Sequence, residues 1–481
     1  MRIRKNVNEI KDGTLLWYSK AVEEMKKRDI SDPTSWWYQG AIHGFGLSKA
    51  AVLAVGKPWS EYSVWAQAVG FPPSEKLVDS DFWQQCQHGS WFFLPWHRMY
   101  LQYFEAIVRK TIIELGGPDD WSLPYWNYCD GNNLALNTAE QNQALHLPPE
   151  FGTTEPNPDF PGLWIEERAF FSVTHNNAAC ESSMRVPYFA STQGEPVGFG
   201  GQMNTFSHNP GTFGALEDHP HNKIHVAISG AMGDPNTAAL DPIFWLHHAN
   251  IDRLWQNWIQ QGNSDPDSST WLNQTFDFHD ENALPVTIAV KAVLNTEELG
   301  YTYSKNYPLN TSTETLKIAA LTSSLGANMF DTIAATTEPL KLTSTPASAP
   351  IDFLPQQKSD TNLKALSTPE ISEPTSVIIM LENITGEGVI APIDVFIRVA
   401  HSGERIQVGS IGLFGLSQAS TPSKQHAGTG INAQLDATDV FHTLRAHSQW
   451  QLEDIHIEVE PSKALGEANA TIGRISIKAE V

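Results

Sequence analysis

The sequence is poor in cysteine, short of positive charge and without a long apolar run. Its three cysteines, Cys86, Cys129 and Cys180, in 481 residues are too few for a disulfide framework. Cys129 and Cys180 are therefore expected to be free thiols. Only 31 basic residues stand against 54 acidic ones, a formal net charge of -23. A surface this acidic argues against nucleic acid or anionic membrane as partner. It suits a protein acting on neutral or cationic small molecules, and equally it serves solubility alone. No stretch reaches the roughly 20 apolar residues of a membrane span. The basic opening Met1–Lys5 leads into polar residues, not into an apolar run of signal-peptide length. The chain as given reads as cytoplasmic and reducing, a leader removed from a precursor being the alternative.

The chain is long enough for two or three domains. Residues 1–305 are rich in tryptophan and histidine and form the first expected domain. Tyr100, Tyr103, Phe104, Ile107 and Val108 recur at helical spacing within Met99–Ile113, as do Ile251, Leu254, Trp255 and Trp258 further on. Between them Asp130–Gly214 is rich in Gly, Asn and Pro and reads as loop that lines or covers a site. Residues 306–374 read as an extended linker, Pro/Ser/Thr-rich from about Thr336. From 375 to 481 come short runs with period two, Val377–Leu381, Ile393–Val399, Ile455–Val459 and Ile472–Ile477. They predict a small all-β, sandwich-like domain.

Six of the 17 histidines carry the functional signal, one of them from an adjacent pair. His221 and His225 are four apart, so on a helix both rings lie on one face and can hold one ion. A third ligand is expected from the adjacent His247 and His248. Neighbouring helical side chains diverge by about 100°, so only one of the two can face the metal. His97 follows Pro95–Trp96 at the opening of the first helix, His88 lies just upstream, and His43 sits on a separate helical stretch. Imidazole suits copper, and three per ion leave positions open for oxygen. The remaining histidines, among them His146, His175, His279 and His456, are read as structural. His219 is read as a loop or supporting residue.

These segments resemble the two copper-binding signatures of tyrosinases, catechol oxidases and molluscan haemocyanins, over roughly residues 1–305. The resemblance implies a mainly α catalytic domain in which a four-helix bundle holds two copper ions, with dioxygen as co-substrate. It assigns His43, His88 and His97 to the first copper, and His221, His225 and His248 to the second. His247 is left as a supporting residue. Cys86, two before His88, sits where fungal tyrosinases and haemocyanins form a cysteine–histidine thioether. Arg98, Asp241, Asp252 and Arg253 match positions that make charged hydrogen bonds behind the ligands. Tyr301–Thr302–Tyr303 looks like the Tyr-x-Tyr pair that closes the family's catalytic domain.

Within the family the likeness favours a phenol oxidase. A monophenol must lose a proton with a pKa near 10 before it binds copper, so a base is needed. Asn222 and Glu217 stand where monophenolase-competent members hold a water for this purpose. The expectation is hydroxylation of monophenols and oxidation of o-diphenols. The alternatives are an oxidase confined to catechols or o-aminophenols, and an oxygen carrier. The family's gate over the second copper falls near Pro235. The C-terminal domain resembles the covers of plant and fungal proenzymes, with Phe414 as the expected plug and ordinary core packing as its alternative. Such a cover implies a latent enzyme that a protease activates by cutting the linker.

Overall fold

The structure is a computed structural model. It describes residues 1–44, 82–83, 85–166, 168, 173–192, 195–204, 212–305, 330–343, 345–350, 352–353, 376–388, 390–399, 402–422, 427–446, 454–465 and 468–480. The chain divides into two units, each assembled from separate stretches. The first comprises Met1–Gln87, Phe92–Cys180 and Ala227–Leu309; the second comprises His88–Trp91, Glu181–Val226 and Asn310–Val481. The catalytic segment expected at 1–305 is thus not one block, because residues 181–226 pack with the C-terminal part.

The first unit is helical at its centre. Helices α1 (Thr14–Lys26), α2 (Trp36–His43), α3 (Phe93–Glu114) and, later in the chain, α5 (Pro242–Gln260) form it. Each longer helix buries the apolar face its periodicity predicts. Phe104 of α3 lies flat against Trp245 of α5, and Tyr100 and Trp36 close on the same indole. Local chemistry sets the helix starts. The Ser35 hydroxyl accepts from Tyr38 N, and Asp241 accepts from Ile243 N with Pro242 in the first turn. Pro95 costs α3 nothing, since the first-turn amides have no helical partner.

A buried ionic hub ties the unit's ends to α3 and α5. Strand Arg2–Arg4 pairs in parallel with strand Tyr301–Tyr303. Arg4, fully buried, donates to Glu105, Asp252 and the Tyr303 hydroxyl. Asp252 also accepts from Arg98 and Tyr301. The Tyr-x-Tyr pair read in the sequence is half of this hub.

The second unit holds two antiparallel sheets around one core. Their strands are β1 (Asp331–Ala335), β2 (Leu340–Lys341), β3 (Ala347–Pro350), β4 (Asp352–Phe353), β5 (Ser376–Glu387), β6 (Ile393–Val399), β7 (Arg405–Ile411), β8 (Ile431–Asp436), β9 (Ile455–Pro461) and β10 (Asn469–Glu480). One sheet has the order β4-β1-β10-β5-β8 with β2 on β10; the other runs β7-β6-β9-β3. Val377, Ile379 and Leu381 from one sheet meet Val395, Ile397 and Ile457 from the other in the core. The period-two pattern therefore reads correctly. The linker needs correction: β1 to β4 fall inside 306–374, β1, β2 and β3 pairing with the C-terminal strands and β4 with β1. Residues 306–329 and 354–375 lie outside the described residues. No helix among the described residues is long and apolar enough to cross a membrane.

Candidate metal centre

Each unit gathers histidines of its own. In the first, α2 ends on His43, α3 opens with His97, and α5 carries His247 and His248. The His97 and His248 rings stack at 4.3 Å, and His43 lies 5.8 Å from His97 and 6.4 Å from His248. Phe244 packs against His43 and His248 and fixes both rings laterally. Cys86 is buried with its Sγ 3.4 Å from His97 Nε2. The donor atoms of His43, Cys86 and His97 all lie within 4.8 Å of one another.

In the second unit His221 lies in a helical turn, Glu217–Asn222, and His225 lies on the helix that follows it, α4 (Lys223–Ile228). Their rings are 4.5 Å apart, and His88 lies 5.7 Å from His221. The helical spacing of four delivers the pairing it predicts.

Backbone and side-chain acceptors sort the tautomers of four of these rings. His43 Nδ1 donates to Pro235 O at 2.8 Å, and His97 Nδ1 to Phe93 O at 2.8 Å. Carbonyl oxygens only accept, so each Nδ1 keeps its proton and Nε2 keeps the lone pair. His88 Nδ1 meets Glu217 Oε1 at 2.8 Å, and His221 Nδ1 meets Asn222 Oδ1 at 2.9 Å. Burial also holds His88 neutral, pushing its ring down to about 3. Neutral imidazoles presenting Nε2, each fixed from behind at Nδ1, are the donor set that copper requires. The residues therefore fit the metal that the sequence implies.

Glu217 is fully buried and takes two hydrogen bonds from Gly89 N besides that from His88. Burial raises its carboxyl well above the usual value, with the Gly89 and Gly214 amides opposing. Asn222 is equally buried, and its Nδ2 has no acceptor among the described residues. Phe414, on the turn after β7, stacks on His225 at 4.0 Å and stands edge-on to His88 and His221. Gly412 holds that turn against the second unit's helix: a Cβ there would lie 2.9 Å from Asn222 C and Lys223 N.

Several expectations change. Pro235, the expected gate residue, offers its carbonyl oxygen to His43 Nδ1 within the first unit, a contact the sequence did not foretell. The adjoining Gly44 permits that approach, since a Cβ would come within 2.5 Å of the same oxygen. Cys129 and Cys180 are joined in a disulfide, not free; 51 residues separate them in sequence, and only the fold brings them together. His219 meets Asp218 Oδ2 at 2.8 Å, a supporting contact. Arg168 went unnoticed in the sequence. It is buried and grips Asp241, the cap of α5, with two nitrogens, so it fixes the helix bearing His247 and His248. No local pattern marks it, because its partner is 73 residues away.

Comparison with known proteins gives a consistent picture. Residues 33–261 match the common central domain of tyrosinase, residues 264–313 the polyphenol oxidase middle domain, and residues 329–480 a domain of unknown function (DUF7868). The tyrosinase HcTyr1 of Hahella sp. (strain CCB-MM4) is 44% identical over 487 residues, covering 100% of both chains. The chloroplastic polyphenol oxidase A1 of Vicia faba is 28% identical over 63% of this chain and 47% of its own, so this chain matches about half of that relative's length. Among solved structures, latent apple tyrosinase superposes with a TM-score of 0.58 at 20% identity, covering 99% of this chain and 97% of that one. A functional unit of octopus hemocyanin gives 0.51 at 14% identity, covering 99% of each chain. At such identities these structures speak for the fold alone. The full-length relative and the matching central domain establish that the chain belongs to the tyrosinase and polyphenol oxidase family of copper oxidases.

Proposed function

We propose that the chain is a tyrosinase that hydroxylates monophenols, oxidises o-diphenols with dioxygen, and stays latent until its cover is displaced. His43, His88 and His97 would hold one copper, and His221, His225 and His248 the other. Helices α2, α3, α4 and α5 would form the four-helix bundle around them. A bound copper pair supplies the redox chemistry with dioxygen. The protein's own part is to admit a phenol, orient it and take its proton.

The observation that carries the monophenolase reading is the buried pair Glu217 and Asn222. A carboxyl raised by burial is a better match to a phenol's proton than an ordinary one. The Asn222 Nδ2 donor, lacking an acceptor among the described residues, supports a role in holding the relaying water. Cys86 remains the candidate for a thioether to His88, which would restrict that ring further.

The latency reading rests on Phe414. An aromatic substrate approaching His225 would stack where the Phe414 ring now lies. Oxygen uptake by the copper-loaded chain with a simple monophenol, before and after limited proteolysis, tests both parts. Uptake should be low before cleavage and rise after it. Uptake with diphenols alone would reduce the reading to a catechol oxidase, and equal rates before and after would remove latency.

A further inference from the structure

Helix α3 and the strand Thr275–His279 stack aromatic rings in a line that starts at the histidine cluster of the first unit. Trp96 lies 4.8 Å from His97 and 6.2 Å from His43, ring centre to ring centre. Tyr100 follows at 4.9 Å from Trp96 and lies nearly parallel to His43. Phe278 meets both, 5.7 Å from Trp96 and 6.3 Å from Tyr100. Tyr103 stacks on Phe278 in turn at 5.5 Å. Trp96, Tyr100 and Phe278 are buried and Tyr103 is half-buried, so the line runs from the cluster to solvent. All of it belongs to the first unit.

Core packing accounts for rings in contact, but not for which rings they are. Indole and phenol give up a single electron far more readily than imidazole or a benzene ring. Here an indole stands beside the histidines and a phenol stands at the surface. Trp96 Nε1 has no acceptor among the described residues, so an oxidised indole keeps its proton and can take the electron back. The Tyr100 hydroxyl donates to Gln39 O, which accepts a hydrogen bond but not the proton itself. Tyr100 and Phe278 therefore bridge the charge without storing it. Tyr103 can release its proton to water, and the negative charges of Asp280 and Glu281 nearby favour a positive hole on that ring.

We infer that Trp96, Tyr100, Phe278 and Tyr103 form a relay that carries single electrons inward from the surface and discharges an oxidised copper centre when no phenol occupies it. The inference rests on the copper reading above. One electron passes from Trp96 to the centre, and Tyr103 refills the indole through the two bridging rings. Tyr103 loses its phenol proton to water and is left as a neutral radical. A one-electron reductant in solution, ascorbate or a catechol, returns the electron and the proton. His43 and His97, the rings nearest Trp96, are thereby spared oxidation.

The copper-loaded full chain, treated with hydrogen peroxide in the absence of phenol, tests the relay. Freeze-quench EPR is expected to show a tyrosyl radical in the wild type and to lose it in Tyr103→Phe and in Trp96→Phe. Peptide mass spectrometry should find more oxygen added to His43 and His97 in Tyr103→Phe. Ascorbate should suppress that damage in the wild type and not in Tyr103→Phe, while the initial rate with a phenol stays the same. A wild type that holds copper and gives no tyrosyl radical, or an unchanged signal in Tyr103→Phe, overturns the relay. Should Trp96→Phe fail to fold, Tyr103→Phe decides alone, because its ring is half-buried and keeps its apolar body. A chain that binds no copper would overturn the copper reading and the relay together, so measured copper content tells the two failures apart.

Discussion

On the proposed reading Glu217 serves two functions through one carboxylate, and two substitutions separate them. Glu217→Gln keeps an oxygen for His88 Nδ1 and Gly89 N but can no longer take up a proton. Monophenol hydroxylation is expected to fall about 100-fold, with diphenol oxidation much less affected. Glu217→Ala removes the acceptor behind His88 as well, and copper affinity should drop by roughly 10- to 100-fold. Steady-state rates with both substrates and a copper titration distinguish the cases, and equal losses with both substrates in Glu217→Gln would refute the proton role. Asp252 shows the contrasting, structural use of a buried carboxylate. Burial alone would raise it, yet the Arg98 and Arg4 guanidiniums and the Tyr303 and Tyr301 hydroxyls hold it below its ordinary value. A depressed carboxylate contributes stability above its unfolded pKa and loses that contribution as pH falls through the folded one. Asp252→Asn leaves two buried guanidiniums facing a neutral amide and should cost about 3–5 kcal/mol at neutral pH. Urea melts of both proteins should converge as the pH is lowered toward 3, and a constant gap would contradict the assignment.

Among the elements, those with a strong period were legible and those with chemistry at a distance were not. The apolar stripes of α3 and α5 and the alternation in β5, β6, β9 and β10 are local signals. The strands between Asp331 and Phe353 were hidden by composition. Ala347–Pro350 reads as linker because Ser, Ala and Pro dominate it, yet it forms an edge strand, where a proline is tolerated. The histidines that cluster were legible because four-residue spacing and paired signatures are local. What fixes them from behind was mostly not. Pro235 acts through its carbonyl, which any residue carries, and Arg168, Tyr128 and Glu105 act on residues far along the chain. The turn from Ile411 to Phe414 offers a test at this scale. Gly412→Ala would press a methyl group into the backbone at Asn222 and Lys223. Overpacking of this kind costs about 1–3 kcal/mol, and lifting the turn relieves it. Basal oxidase activity without proteolysis should rise about tenfold in Gly412→Ala, and an unchanged rate would show that the turn does not control access.

For the whole molecule, the division of the chain follows packing rather than sequence order, and this is what the sequence conceals most. Residues 88–91 and 181–226 belong with the β-rich unit although they lie inside the segment that carries the tyrosinase signature. His88, His221 and His225 thus share a unit with Phe414, the residue that rests on them. On the proposed latent reading the Phe414 ring is a tethered competitor, present at an effective concentration on the order of millimolar. An untethered aromatic acid must outbid it, so its measured affinity is reduced by the same factor that Phe414 gains. The relation is reciprocal: a ligand bound beside His225 must loosen the turn. Hydrogen exchange of the Ile411–Leu416 amides should therefore quicken as benzoate is added to the full-length chain, with half-effect in the millimolar range, and no change at saturation would mean that ligand and ring do not share one seat.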